Sequence, residues 1–559
     1  MKNDERQHTH DGGDTVVDVP WEEEHEDTWR GRRSRSRSPG SDSLMSPVLT
    51  RTRSASSRFL QEHRHGQHES LLGRIDAPVV LLAYDEDEDA TSLTTCAAED
   101  GEAGFANGGA SSEPQHKKNG MKMAFMNMAN SIIGAGIIGQ PYALLQCGLA
   151  TGLILLVSLT FVIDWTIRLM VVNAKLSATN SYQATVSACF GRAGYFAISL
   201  AQGLFAFGGS IAFTVIIGDT IPHVVLAIFP RFVNIPVLNW LTQRSPVMVL
   251  AIAFVSFPLS LSKNIANLAK ASLLALISMV IIIVAVLIEG IRTPPDLRGG
   301  AFTLPLLTIN SSLFQGIGVI SFAFVCHHNS LLIYGALRKP TMDRFARVTH
   351  WSTGVSMVAC MTLGLSGFLT FRDQTDGNVL NNFPGTNTVI NVARFCFGFN
   401  MLTTFPLEIF VCREVILDYM YTTIALARAR KRETEYDALQ VAAVVASEVQ
   451  EDDPIDEMDE EEMDIRPSLF AHVATTAVLS LAALIFALTV QNLGIVLEVV
   501  GSTSACMLAY ILPPMCYLKL AQSEASRRWT ARIGPIACVT FGVTVMVVSI
   551  SMSIAKAFS

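Results

Sequence analysis

One segment constrains this chain more than any other: Asn127-Met-Ala-Asn130-Ser131-Ile132-Ile-Gly134-Ala135-Gly136-Ile-Ile-Gly139-Gln140-Pro141. It lies inside an apolar run long enough to cross a bilayer, yet it carries three glycines, a proline and two asparagines. In hydrocarbon every backbone N–H and C=O needs an internal partner. A spanning helix interrupted in this way is therefore tolerated only where it faces protein or a wet cavity. Interrupted membrane helices are also where secondary transporters hold solutes and ions. The segment reads as half of such a binding site.

The rest of the composition agrees with a membrane protein. Of 559 residues, 50% are hydrophobic and only 16% are charged, and the mean hydropathy is +0.37. Such values fit an integral membrane protein better than a soluble one. The net charge of −8 comes largely from two acidic clusters, Glu22 to Asp27 and Glu451 to Asp464, and does not point to a partner. The ten cysteines are scattered, most of them inside apolar runs, without zinc-finger or redox spacing; they read as small packing residues. The first long apolar run begins near Met121, so the expectation is that the first membrane helix directs insertion itself, without a signal peptide.

Residues 1–118 are polar, with a Gly/Ser-rich piece at Gly101–Ser112 and the run Arg30-Gly-Arg-Arg-Ser-Arg-Ser-Arg-Ser-Pro39. They are expected to form a disordered cytoplasmic tail open to phosphorylation, which would change the sign of the basic patch. Residues 119–559 form the transmembrane domain. Crossing a bilayer takes about 20 apolar residues, and eleven candidate spans follow the tail. They lie near 121–145, 147–173, 194–221, 246–262, 267–290, 309–335, 348–371, 387–424, 468–490, 493–520 and 532–556. The eighth is overlong, which suggests tilt or an extension into the cytoplasm. The loop at 425–466, basic at its start and acidic at its end, is expected to be a disordered cytoplasmic insert. Fifteen Lys and Arg, Lys175 and Arg338 among them, fall on the same side as the tail, against five on the other. The excess of positive charge makes that side, and the N-terminus, cytoplasmic.

Several residues within the spans could carry chemistry. Breaking a helix frees N–H groups, suited to a carboxylate, and C=O groups, suited to a cation. Span six offers a counterpart to span one in Gln315-Gly316-Ile-Gly318-Val-Ile-Ser321-Phe-Ala-Phe-Val-Cys-His327-His328-Asn329-Ser330. Interruptions in corresponding spans one and six suggest two inverted five-helix repeats with the eleventh span extra. His327 and His328 lie at or within the membrane, where an imidazole is either a proton carrier or a hydrogen-bonded structural group. In span eight, Thr403 and Thr404 precede Phe-Pro and could supply oxygen ligands to a cation; they could equally bond back to helical carbonyls. Glu408 is an intramembrane carboxylate, costly unless it faces the interior. It either pairs with Arg413 or carries a proton. Asp164 and Arg168 stand at i, i+4 and read as a structural pair. There is no Walker motif, no GxSxG and no metal-ligand cluster in the sequence, so an enzyme is not expected.

Three segments together resemble the amino acid/auxin permease family, nearest to its sodium-coupled neutral amino acid transporters and fungal vacuolar amino acid transporters. They are Asn130 to Tyr142, Ser321 to His327 with the following Ile-Tyr-Gly-Ala-Leu-Arg338, and Thr403-Thr-Phe-Pro-Leu-Glu-Ile-Phe-Val-Cys-Arg413. The likeness covers about 120 to 556. It implies an all-α polytopic fold of about eleven transmembrane helices, LeuT-like, with a 5+5 inverted repeat and one extra helix. It implies that Asn130 and Thr404 belong to a cation site. The backbone from Ser131 through Ile132, Gly134 and Ala135 to Gly136 would hold the α-carboxylate, with Phe322 and Phe324 near the substrate. Glu408 stands where sodium-coupled plasma-membrane members have an apolar residue, which favours the proton-linked vacuolar branch. His328 replaces the proline that often follows the family's histidine.

The resulting expectation is a transporter that moves amino acids, neutral ones foremost, by alternating access in a vacuolar or lysosome-like membrane. It needs no cofactor beyond a co-transported H+ or Na+; the coupling group would comprise Asn130, Thr403, Thr404, Glu408 and His327. Alternatives are a plasma-membrane sodium symporter and an amino-acid sensor signalling through the tail to cytoplasmic partners or kinases. Nucleic acid is not an expected partner.

Overall fold

A computed structural model of the protein describes residues 120–261, 271–310, 312–446, 469–521 and 529–558. The expected N-terminal tail lies outside the described residues. Within them the chain is helical and contains no strand. Among the described residues nine helices are long and apolar enough to cross a membrane, from Leu149–Leu176 to Ala531–Ala555. Two further segments coincide with expected spans one and four. The first is the broken run Met121–Cys147, and the other is the shorter apolar helix Arg244–Ser260. The expected count of eleven is reached only by adding both.

Span one is interrupted where its glycines are. An α-helix runs Met121–Ile133, a 3-10 turn covers Ala135–Gly139, and a second α-helix runs Gln140–Cys147. Gly134 sits at the break with φ −4° and ψ −145°, outside helical geometry. Pro141 occupies the start of the second piece, where its missing N–H costs nothing. The Gln140 side chain donates to the Gly136 carbonyl at 3.0 Å, covering one of the groups the break releases. Span six breaks likewise, between Leu313–Phe324 and His327–Ala336, with Val325 and Cys326 non-helical.

The two broken spans pack on each other. A Cβ at Gly136 would strike the main chain of Ala323, so glycine is what lets the two interruptions meet backbone to backbone. Span three, Tyr182–Ile228, is kinked at Gly191, whose φ of 60° is a glycine conformation. Span eight runs Thr388–Ala446, continuing through the start of the expected 425–466 insert; residues 447–466 lie outside the described residues. Spans three and eight, both overlong, lie against one another. Span ten contains π-helical turns at Gly501–Ala505 and Met507–Ile511, where Gly501 lies against the Gly318 carbonyl of span six.

Buried charges are answered by partners. Asp164 bonds Arg168 at 2.9 Å, as the i, i+4 spacing predicts, and His350 at 2.9 Å. Asp219 meets Arg244 at 2.8 Å, and Glu289 meets Arg292 at 3.2 Å and Asn387 at 2.6 Å. Arg394, fully buried, donates to the carbonyls of Leu380 and Phe383 at 2.7 and 2.8 Å. These residues, most of them unassigned by the sequence, hold loops and helices together.

The close approach of spans one and six predicts that Gly136→Val costs about 1–3 kcal/mol through overpacking. A Cβ at Gly354, in mid-helix, meets nothing within 4 Å, and Gly354→Ala should gain about 0.5–1 kcal/mol. Thermal melts of the two purified variants should move in opposite directions; equal shifts would remove the argument.

Candidate functional site

Where the two breaks meet, the structure encloses a cavity of about 190 Å³. Its wall is built from helical faces, each with the i, i+3, i+4, i+7 spacing of one side of an α-helix. Span one contributes Asn127, Asn130, Ser131 and Gly134, followed by Ala135 and Gly136 of the break. Span six contributes Val325 of its own break, then His328, Asn329 and Leu332 of the helix that follows. Span eight contributes Thr404, Leu407, Glu408 and Val411. Span three adds a stripe at i, i+4, i+8: Phe205, Gly209 and Phe213.

Both breaks are stitched to each other. Asn329 donates its side-chain N–H to the Ser131 hydroxyl at 3.1 Å. The helix Met121–Ile133 ends at the cavity and the 3-10 turn from Ala135 begins there. Carbonyls of one piece and N–H groups of the next are therefore directed at the same space. That combination accepts a zwitterion: N–H groups for a carboxylate, carbonyls for an ammonium.

Of the residues expected to bind substrate, Ser131, Ile132, Gly134, Ala135, Gly136 and Phe322 all line the cavity. Phe324 does not. It is the last residue of the helix before the span-six break and is fully buried in the packed core. Of the coupling group, Asn130, Thr404 and Glu408 line the cavity, whereas Thr403 and His327 do not. Thr403 is one residue, hence about a quarter-turn, off the span-eight face. Its hydroxyl donates to the Asn400 carbonyl at 2.9 Å, the back-bonded alternative. His327 is fully buried and shares a hydrogen bond with the Thr166 hydroxyl of span two at 3.0 Å, the structural alternative. The cavity histidine is its neighbour His328, whose ring lies 5.4 Å from that of Phe205.

Thr404 also back-bonds, to the Asn400 carbonyl at 2.7 Å, but its face keeps it at the cavity. Glu408 makes no ion pair with Arg413. That guanidinium donates to Thr476 at 2.9 Å and Ser260 at 3.2 Å and lies 3.5 Å from Glu414. Among the described residues the Glu408 carboxylate has no hydrogen bond or ion pair. It packs against Gly209 of span three at the cavity wall.

The sequence reading missed Phe205, Gly209 and Phe213, although their spacing in an apolar helix is a signal that a one-sided stripe would carry. It quoted Asn329 without giving it a role. The stitch between the breaks predicts that Ser131→Ala and Asn329→Ala each weaken apparent substrate affinity about fivefold, for a hydrogen bond worth about 1 kcal/mol. The double variant should lose no more than either single one in an uptake assay.

Comparison with known proteins identifies the family. The family model described as transmembrane amino acid transporter protein matches residues 117–555. Vacuolar amino acid transporter 2 of Saccharomyces cerevisiae is 41% identical over 441 residues, covering 79% of this chain and 84% of its own length. A Danio rerio protein provisionally named sodium-coupled neutral amino acid transporter 11 is 34% identical over 431 residues, covering 77% of this chain and 85% of its own. Among solved structures, MhsT in complex with L-phenylalanine is similar at a TM-score of 0.47 and 12% identity, over 78% of this chain and 99% of that one. The chain is a multi-pass membrane protein and a transporter rather than an enzyme, and it belongs to the transmembrane amino acid transporter family.

Proposed function

We propose that this transporter carries an amino acid, neutral ones among its substrates, together with a proton. It does so by alternating access, from an acidic vacuole or lysosome-like compartment into the cytoplasm. The observation that carries the reading is the pairing, in one cavity, of the broken backbone of span one with the unpartnered carboxylate of Glu408. The α-carboxylate is held by the Ser131–Gly136 backbone and the proton by Glu408. A charged carboxylate inside a membrane is costly, so the loaded site changes sides most readily when a proton neutralises it. Substrate and proton then raise each other's affinity, by about 5–150-fold for a coupling of 1–3 kcal/mol. Similarity to a yeast vacuolar protein supports the organelle. The Lys and Arg bias of the loops supports a cytoplasmic N-terminus.

A sodium-coupled reading is favoured by a separate observation: Asn130 and Thr404, both uncharged oxygen-bearing groups, line the same cavity. Proteoliposome uptake with separate proton and sodium gradients decides between them. Under the proton reading, a pH gradient alone drives accumulation of labelled neutral amino acid. Glu408→Gln then lowers that accumulation about tenfold or more while exchange across equal pH persists. Accumulation driven by sodium alone, lost in Thr404→Ala and kept in Glu408→Gln, would overturn it.

A further inference from the structure

The cavity is lined by one carboxylate, Glu408, and among the described residues no ion pair or hydrogen bond neutralises it. Arg413, on the same helix five residues on, is committed elsewhere, to Thr476, Ser260 and Glu414, and no Lys or Arg lines the cavity. Of the elements packed around Glu408, span one presents Asn127, Asn130 and Ser131, and span three presents Phe205, Gly209 and Phe213. Neither brings a charge. The titratable groups near it are His328 of span six and Cys412, one turn along its own helix. The surrounding surface is aromatic, with Phe205, Phe213, Phe322 and Phe410 lining the same space. A lone carboxylate among aromatic faces is the chemistry that recognises an organic cation, through an ion pair and cation–π attraction.

We infer that Glu408 is also a specificity group: it receives the side-chain ammonium or guanidinium of a cationic amino acid, in the place that a proton takes when the substrate is neutral. The inference rests on the proposed placement of the substrate in this cavity. It follows from charge. A neutral amino acid leaves the carboxylate to be neutralised by a proton, whereas lysine or arginine brings the neutralising charge on its own side chain. One carboxylate does not hold both. The protein therefore takes neutral and cationic amino acids in a single site, the first with a proton and the second without. Acidic amino acids, which would set a second carboxylate against Glu408, are excluded.

The test uses the full chain in proteoliposomes. Exchange of labelled leucine is measured against unlabelled lysine, norleucine and glutamate. Lysine and norleucine share a carbon chain and differ by the terminal ammonium. In the wild type, lysine should inhibit at least as well as norleucine, and glutamate about a hundredfold more weakly. Labelled lysine should exchange, and its uptake should not rise when an inward proton gradient is imposed, whereas leucine uptake should. In Glu408→Gln, lysine inhibition should weaken tenfold or more relative to norleucine inhibition measured in the same variant. The wild-type comparison stands even if that variant does not fold. Leucine exchange with lysine tenfold or more weaker than norleucine would overturn the inference and leave the transport reading intact. So would unchanged lysine inhibition in Glu408→Gln. Absence of exchange for every amino acid would overturn both.

Discussion

The structure depends on the demand that every backbone polar group inside a bilayer find a partner. A continuous helix meets that demand by itself, and an interrupted one cannot. Here two interruptions are set against each other at Gly136 and Ala323, so close that no side chain fits between them. Gln140 reaches back to the Gly136 carbonyl, and Asn329 crosses from one break to the Ser131 hydroxyl of the other. The cavity lies at the breaks, lined by Gly134, Ala135 and Gly136 of one and Val325 of the other. The site is thus a consequence of how the break is stabilised, with the protein satisfying part of the exposed backbone and an amphoteric ligand suited to the rest.

Charge follows the same rule. Arg394 is surrounded by carbonyls, Arg413 by Thr476, Ser260 and Glu414, Asp164 by Arg168 and His350, and Asp219 by Arg244. Each is a buried or half-buried group with a fixed partner and so with little freedom to bind anything else. Glu408 differs from all of them among the described residues, and it differs where the cavity is. A charged group left without a protein partner inside a membrane is destabilising on its own. Its place beside Gly209 and Phe205 is accounted for if the missing counter-charge arrives with the cargo.

Much of this was legible in the sequence, because glycine, proline and asparagine inside a 25-residue apolar run have few physical explanations. Asn130, Ser131, Ile132, Gly134, Ala135 and Gly136, which that reasoning singled out, line one cavity together with Phe322, Thr404 and Glu408. Facing was harder to read. Thr403 and Thr404 are chemically the same, as are His327 and His328, and only the register of the helix decides which reaches the cavity. Asn127, Asn130, Ser131 and Gly134 carry the helical spacing openly. In span six the break itself shifts the register, so that Phe324 before it and His328 after it cannot be placed from periodicity. Phe205, Gly209 and Phe213 were hidden because a helix as apolar as span three shows little contrast between its faces.

The central claim is that substrate sits between the two broken helices. A structure determined with a bound amino acid tests it most directly. The account predicts density in this cavity, with the α-carboxylate against the backbone from Ser131 to Gly136 and the substrate side chain among Phe205, Phe213 and Phe322. An amino acid bound elsewhere, with the Ser131–Asn329 contact intact and the cavity holding no ligand, would contradict it.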